Sequence, residues 1–165
     1  GAQAAALGAG GPARAVVHGL QAQNVHVTVH ARRQEQAREL ASAAGIEPGP
    51  WPPAPGSWDI LVNCTPMGMP GREDESPLPG GPFGGALVYD LIYTQTETRL
   101  MREARAAGCI TIGGMPMLWA QAERQFEWWT GTEPPLGVMA EGVMQAFDRR
   151  RNANAEAMRI AAGAK

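Results

Sequence analysis

Residues Gln3 to Leu20 read QAAALGAGGPARAVVHGL, and this stretch decides the fold. A short apolar run ends at Gly8, and after Pro12 the apolar residues recur at the spacing of one helix face. Proline is tolerated in the first turn of a helix, where its missing N–H would have no partner. The stretch therefore predicts a buried strand and a helix that are joined by a tight, glycine-rich turn.

The turn contains the pattern G-x-G-x-x-A, formed by Gly8, Gly10 and Ala13. Gly8 permits the tight turn, Gly10 lets a pyrophosphate approach the backbone, and a small residue at Ala13 lets the helix pack closely on the strand. Phosphate charge would rest against the amides at the helix start, where the helix dipole favours an anion. The pattern predicts a dinucleotide site, and a glycine-rich turn without a ligand is the alternative.

Short apolar strands alternate with helices along the rest of the chain. Beyond residues 3–7, strands are predicted at 25–30, 60–62, 86–91 and 110–112, helices at 34–44, 98–107, 117–129 and 138–159, and loops at 48–56 and 70–85. This order predicts an α/β fold in which a doubly wound parallel sheet carries helices on both faces, as three layers. We expect residues 1–137 to form this domain and residues 138–165 a C-terminal helical segment. We also expect the loop at 70–85 to be mobile, and Trp128 and Trp129 to be packing residues.

The second predicted strand ends in His30-Ala31-Arg32-Arg33, with no acidic residue before Glu35. NAD-binding versions of the glycine motif usually carry a carboxylate at this place, where it holds the ribose 2′-hydroxyl. Two guanidinium groups instead suit a 2′-phosphate, because each can make a paired, charge-assisted contact. The sequence thus favours NADP over NAD as the cofactor, and a solvated loop start is the alternative interpretation of the two arginines.

Composition and charge argue against several other classes of protein. A formal net charge of −2 gives no reason to expect nucleic acid as a partner. No apolar run approaches the roughly 18 residues of a membrane span, and the N-terminus lacks the regions of a secretion signal, so we expect a cytoplasmic protein. Cys64 and Cys109 lack the spacing of metal ligands, which predicts two free thiols in a reducing compartment and no metal site.

Further segments combine with the glycine turn into a specific set. They are VNCTPMGM from Val62 to Met69, DLIY from Asp90 to Tyr93, GMPML from Gly114 to Leu118, Gln121, and WTG from Trp129 to Gly131. In this order, the segments closely resemble the C-terminal, NADP-binding, Rossmann-like domain of the shikimate dehydrogenases, a family that includes quinate/shikimate relatives. The resemblance runs from about Ala4 to Gly131.

The resemblance implies cofactor contacts along one cleft. The residues that would wrap the pyrophosphate are Gly8, Ala9, Gly10, Gly11 and Pro12. Arg32 would stack on the adenine and meet the 2′-phosphate, Arg33 stands where the family usually has threonine, and Thr65 would line the cleft. The residues that would border the nicotinamide are Leu91, Gly114 and Met117.

Two positions of this domain are implied to reach the substrate. Tyr93 and Gln121 correspond to the positions that meet the substrate's hydroxyls and carboxylate. Each has a structural alternative, because Tyr93 could cap a strand end, Gln121 could serve a buried polar partner, and Met117 could belong to the core. Gln95 departs from the family, which commonly has proline two residues after the tyrosine, and this departure predicts a looser loop behind Tyr93.

The family reduces 3-dehydroshikimate reversibly to shikimate with NADPH, a step of aromatic amino-acid biosynthesis that leads to chorismate. Its lysine and aspartate, which handle the proton, belong to an N-terminal domain that precedes the glycine turn. The single lysine here is Lys165, at the other end of the chain. We therefore predict no catalytic residue on this chain and no turnover by it alone, because general acid–base catalysis needs a group within hydrogen-bond reach.

The chain opens almost directly on the glycine motif, so we expect a domain that was cut from something larger. Its parent would be an NADP-dependent oxidoreductase whose small-molecule substrate is held together with the absent N-terminal domain. A stand-alone NADP(H)-binding sensor or regulatory module is an alternative, and so is a quinate/shikimate dehydrogenase. A different dehydrogenase that shares only this fold also remains open, because fold does not determine chemistry.

Overall fold

A computed structural model describes residues 1–94 and 96–163 of the 165-residue chain. Two of the positions interpreted above, Gln95 and Lys165, lie outside the described residues. The chain divides into two compact units, Gly1–Gly114 and Met115–Lys165. The sequence interpretation ends the nucleotide-binding domain at residue 137, and that boundary stays a prediction.

Within the described residues, six strands form one parallel sheet in the first unit. They are β1 (Gln3–Leu7), β2 (His26–His30), β3 (Glu47–Pro48), β4 (Ile60–Asn63), β5 (Leu87–Asp90) and β6 (Ile110–Ile112). The order across the sheet is β3-β2-β1-β4-β5-β6. The winding reverses between β1 and β4, which defines a doubly wound sheet and leaves a crevice at the carboxyl ends of these strands. The predicted fold class is confirmed.

The helices of the described chain agree with the sequence predictions to within a few residues. They are α1 (Gly11–Gln21), α2 (Gln34–Ala44) and α3 (Arg99–Ala106) in the first unit, and α4 (Met115–Thr130) and α5 (Val138–Gly163) in the second. Pro12 lies in the first turn of α1, and α2 ends at Gly45, whose φ of 66° is left-handed. None of the described helices has both the length and the apolar character needed to cross a membrane.

Helices cover both faces of the sheet in the first unit, which gives the three predicted layers. On one face, Ala6, Val29 and Val62 pack with Ala13 and Val17 of α1 and Leu40 of α2. On the other face, Leu7, Leu61 and Val88 pack with Leu100 and Ala104 of α3 and with the loop residues Trp58 and Leu78. Ala13 is fully buried, as the third position of the glycine motif requires for close packing of α1.

The edge strand β3 corrects the loop predicted at 48–56, because Pro48 belongs to the sheet. Val29 of β2 lies opposite Pro48, and the N–H of Gly49 donates to the carbonyl of Val29 at 2.8 Å. A proline cannot donate to a strand ladder, so it is tolerated at an edge where its nitrogen needs no partner. Tertiary pairing with β2, rather than local propensity, creates this short strand.

The loop at 70–85 contains no helix or strand, as predicted, but its middle belongs to the core. Leu78 is 1% exposed and packs under α3 with Trp58, and Ser76 is buried as well. The segment is therefore anchored between β4 and β5. Trp128 and Trp129 on α4 are 85% and 77% exposed, so the prediction that they are packing residues is wrong for the described chain.

The contact between Gly85 and Trp58 makes a test of core packing. A Cβ on Gly85 would lie 2.2 Å from the Trp58 ring and 2.7 Å from its carbonyl oxygen, and Trp58 is 2% exposed. We expect Gly85→Ala to lower the free energy of unfolding by about 1–3 kcal/mol, measured by urea denaturation, because overpacking forces the core apart. Gly84→Ala is the matched control, since its Cβ would meet nothing closer than 3.4 Å. Equal losses for both variants would contradict this account.

Candidate nucleotide-binding site

A cleft of about 570 Å³ opens in the first unit at the carboxyl ends of β1, β2 and β4. Its lining residues are Gly8, Ala9, Gly10, Ala31, Arg32, Arg33, Gln36, Trp51, Cys64, Thr65, Pro66, Met67 and Arg72. The cleft lies where the winding of the sheet reverses, the position at which doubly wound sheets bind their ligands. It brings together the glycine turn, the arginines after β2 and the loop after β4.

The glycine turn is held tightly on one side and open on the other. Gly8 has a φ of 106°, its N–H donates to the carbonyl of His30 at 2.8 Å, and a Cβ there would lie 3.3 Å from the carbonyl oxygen of Cys64. Only glycine adopts this conformation without strain. A Cβ on Gly10 would meet only Pro12, at 3.8 Å, so the backbone here faces open space.

The start of α1 suits an anion. Gly10 is the N-cap residue, and no side chain caps the helix. The first amides of a helix have no partner within the helix, and Pro12 contributes no N–H, so the donors on offer are those of the glycine turn and the residues around it. The first turn of α1 contains no acidic residue that would repel a phosphate.

Arg32 and Arg33 follow β2 and line the same cleft as the glycine turn. Both side chains are exposed, and neither makes a hydrogen bond or ion pair with another residue in the described part of the chain. Two guanidinium groups that lack protein partners therefore border bare backbone amides. The predicted juxtaposition of these two features is present in the fold.

A further arginine, Arg72, lines the cleft from the loop after β4. Its guanidinium pairs with Glu75 through Nε to Oε1 at 2.8 Å and Nη2 to Oε2 at 2.5 Å. The sequence interpretation missed Arg72, because it considered residues 70–85 only as a loop. The available signal was the position of Arg72, a basic residue directly before the three acidic residues 73–75.

Thr65 is held at the cleft by Asn63, the last residue of β4. The backbone N–H and the Oγ1 of Thr65 both donate to Oδ1 of Asn63, at 2.9 and 2.7 Å. Nδ2 of Asn63 donates to the carbonyl of Met67 at 3.3 Å and to Oδ1 of Asp90 at 2.9 Å. Asn63 and Asp90 are fully buried, so each polar atom needs such a partner. The cleft loop is thereby tied to the sheet.

Asp90 extends this network to α3. Its Oδ1 also accepts from the N–H of Ile92 at 3.1 Å, and its Oδ2 accepts from Oγ1 of Thr98 at 2.6 Å. Thr98 caps α3, because its Oγ1 accepts from the N–H of Met101 at 3.2 Å. Burial raises the pKa of Asp90, and the hydrogen bonds from Thr98, Ile92 and Asn63 oppose that rise. The network stabilises the fold. It could not be predicted from the sequence, because it depends on the pairing of β4 with β5.

Cys64 contributes a buried thiol to the cleft wall. Burial, with a smaller contribution from the charge of Asp90, raises the pKa of this thiol to about 12. A thiol is reactive as the thiolate, so Cys64 is inert at neutral pH. Both cysteines are free, as predicted. Residues 1–94 and 96–163 contain no group of three or more His, Cys, Asp or Glu side chains that could hold a metal ion.

Several predicted site residues do not line the cleft. Gly11 and Pro12 lie in the first turn of α1. Leu91 is half-buried after β5, and a Cβ on Gly114 would lie 2.3 Å from the carbonyl oxygen of Leu91, so these two residues are neighbours. Tyr93 is 42% exposed on the same stretch. The remaining two predicted residues, Met117 and Gln121, lie on α4 in the second unit. The nicotinamide and substrate roles of these residues stay predictions.

Thr98→Val tests the network around Asp90 through pH. The variant keeps the shape of the side chain but removes the donor to Asp90 and the cap of α3, so we expect a loss of about 1–3 kcal/mol in the free energy of unfolding. Since burial holds the folded pKa of Asp90 above its ordinary 3.8, stability falls as pH rises from that value through the folded pKa. Removing the bond from Thr98 raises the folded pKa further.

The deficit of Thr98→Val should therefore be larger at pH 7 than at pH values below the ordinary pKa of aspartate. Urea denaturation followed by circular dichroism across this range measures it. Thr111→Val is the control, because Thr111 Oγ1 accepts a hydrogen bond from the exposed Arg105, at 2.9 Å. A deficit that does not change with pH would disprove the role assigned to Asp90.

Comparison with known proteins agrees with this geometry. Residues 114–144 match the family model described as the Shikimate 5'-dehydrogenase C-terminal domain. The NADP(+) shikimate dehydrogenase of Methanocella arvoryzae is 40% identical over 149 residues, which cover 86% of this chain and 55% of that protein. The chain thus spans about half the length of the curated relatives that it matches.

Solved structures of this fold lead to the same family. The Thermus thermophilus shikimate 5-dehydrogenase, crystallised with NADP(H) and shikimate, is 35% identical with a TM-score of 0.75, over 87% of this chain and 54% of that one. The Corynebacterium glutamicum quinate dehydrogenase, in complex with NAD, is 28% identical with a TM-score of 0.77, over 87% of this chain and 55% of that one. By sequence and by fold, the chain matches the C-terminal portion of shikimate dehydrogenases.

Proposed function

We propose that the chain binds NADP(H) in the cleft beside β1 and is the nucleotide-binding part of a cytoplasmic shikimate dehydrogenase. The whole enzyme would reduce 3-dehydroshikimate reversibly to shikimate, within aromatic amino-acid biosynthesis. The observation that carries this proposal is the meeting of the uncapped backbone amides at Gly10 and Gly11 with the guanidinium groups of Arg32 and Arg33, which make no hydrogen bond or ion pair within the described residues. The names of the curated relatives support the substrate.

The residues present fit this cofactor. The open backbone at Gly10 and the uncapped start of α1 would take the pyrophosphate, and Arg32 and Arg33 would take the 2′-phosphate. Thr65, fixed by Asn63, would form the opposite wall. When bound, the nicotinamide supplies or accepts the hydride, and the protein supplies binding and orientation. Leu91, Gly114 and Met117 are proposed to border the nicotinamide ring, and Tyr93 and Gln121 to reach the substrate.

The arginine pair favours NADP over NAD. A carboxylate at the end of β2 would accept the 2′-hydroxyl of NAD, but that place holds Ala31 and Arg32. Both guanidinium groups are exposed and make no hydrogen bond or ion pair within the described residues, so both are available to an anion. The 2′-phosphate of NADP is the anion that this end of the cleft suits.

We propose that a second domain completes the enzyme. In the proposed organisation, residues 1–137 form the nucleotide-binding domain, residues 138–165 form a helical segment, and a substrate-binding domain carries the lysine and aspartate that the resemblance implies. The described residues contain no lysine, and the buried Asp90 already accepts three hydrogen bonds within the protein. Proton transfer to the substrate is therefore assigned to the partner domain.

Cofactor preference is measurable by calorimetric titration of the purified chain. We expect NADP to bind more tightly than NAD, and Arg32→Ala to weaken NADP binding by about tenfold or more, since charge-assisted hydrogen bonds are the strong ones. NAD binding should change little, because NAD offers no 2′-phosphate. Arg38→Ala is the control, an exposed arginine of α2 that does not line the cleft. Equal binding of both cofactors, unchanged by Arg32→Ala, would refute the cofactor assignment.

The purified chain should oxidise no shikimate in the presence of NADP. Loss of the general acid–base group lowers the reaction rate by a factor of about 10² to 10⁴, and loss of the substrate contacts lowers it further. Absorbance of NADPH at its ultraviolet band follows the reaction, with a full-length relative as the positive control. Appreciable turnover by this chain would show that it carries its own proton donor, against the proposed division of labour.

A further inference from the structure

We propose that Arg72 is a third cationic contact for the ribose 2′-phosphate and that Glu75 occupies its guanidinium until the phosphate displaces it. The inference rests on the proposed cofactor site and extends it to a loop outside the glycine turn and the arginine pair. The loop after β4 would then help to distinguish NADP from NAD.

The location of Arg72 is the first support. Arg72 lines the cleft together with Arg32 and Arg33, although it comes from a different strand end. Three arginine residues therefore line one cleft of about 570 Å³. A dianionic phosphate in this cleft attracts all three arginines. The arginine that hydrogen-bonds to the phosphate contributes most to the binding free energy.

The pairing of Arg72 with Glu75 is the second support. Both oxygens of the carboxylate meet the guanidinium, Oε1 with Nε at 2.8 Å and Oε2 with Nη2 at 2.5 Å. This two-pronged geometry is the one in which arginine also recognises a phosphate. The carboxylate thus fills the position that two phosphate oxygens would take on the same guanidinium face.

The exchange is possible because the ion pair is exposed. The side chains of Arg72 and Glu75 are 38% and 45% exposed, and solvent-exposed ion pairs contribute little to stability. Replacing a singly charged carboxylate with a phosphate of higher charge strengthens the attraction to the arginines. The hydrogen bond from Arg72, with smaller contributions from the charges of Arg72 and Arg32, holds the pKa of Glu75 below its usual value, so Glu75 is a competing anion at neutral pH.

The backbone fixes where the Arg72 side chain begins. The N–H of Arg72 donates to the carbonyl of Met69 at 2.8 Å, and its own carbonyl accepts from Gly68 at 3.2 Å and from Glu75 at 3.0 Å. These bonds form a tight turn between Thr65, which Asn63 holds, and the buried core of the loop. The guanidinium can therefore change partners by side-chain rotation while the turn remains in place.

The test is a titration of the full 165-residue chain with NADP, NAD, 2′-AMP and 5′-AMP. We expect Arg72→Ala to weaken NADP and 2′-AMP by about three- to tenfold and to leave NAD and 5′-AMP nearly unchanged. Glu75→Gln should strengthen NADP and 2′-AMP by about two- to fivefold, because the competing carboxylate is gone. The matched controls are Arg124→Ala and Glu127→Gln, an exposed pair of the same sequence spacing that does not line the cleft.

Each other outcome overturns the inference. Equal losses for NADP and NAD in Arg72→Ala would place the arginine at a phosphate that both cofactors share, and no loss would remove it from the site. Weaker NADP binding in Glu75→Gln would mean that Glu75 positions Arg72 instead of competing for it. If the wild-type chain binds none of the four probes, the proposed cofactor site itself fails, which is a distinct result from unchanged binding in the variants.

Discussion

The close approach of three backbone segments at Gly8 is the constraint on which the rest of the structure depends. The N–H of Gly8 reaches the carbonyl of His30, its φ of 106° favours glycine, and a Cβ there would make a tight contact of 3.3 Å with the carbonyl oxygen of Cys64. Because β1 ends between β2 and β4, this turn sets the direction in which α1 leaves the sheet. The cleft exists because the chain turns away at this point and leaves its amides exposed.

Much of the fold could be predicted because it depends on neighbouring residues. The bounds of α2 follow from an amphipathic run that Gly45 ends in a left-handed conformation, and β1 and β6 follow from short apolar runs. The strand β3 could not be predicted in this way. It consists of two residues, one of them proline, and exists only because β2 offers a free edge.

The candidate site was predictable where a motif carries its own geometry, as in the glycine turn and the arginines after β2. Asn63 and Asp90 were not, because their bond depends on the pairing of β4 with β5, which local patterns do not specify. Arg72 was missed because it lies in a loop without secondary structure, and local patterns do not specify the path of that loop beside the cleft. The spacing of residues along the sequence does not predict which residues meet through tertiary contacts.

The side chain of Asp90 accepts hydrogen bonds from three separate pieces of chain: the end of β4, its own following loop and the cap of α3. One carboxylate thus holds all three pieces in place, and a displacement of any one of them alters the hydrogen bonds of Asp90 to the other two. The wall of the cleft at Thr65 and the first turn of α3 are therefore not independent. The hydrogen bonds that run from Thr65 through Asn63 and Asp90 to Thr98 join the wall of the cleft to the start of the helix on the other face of the sheet.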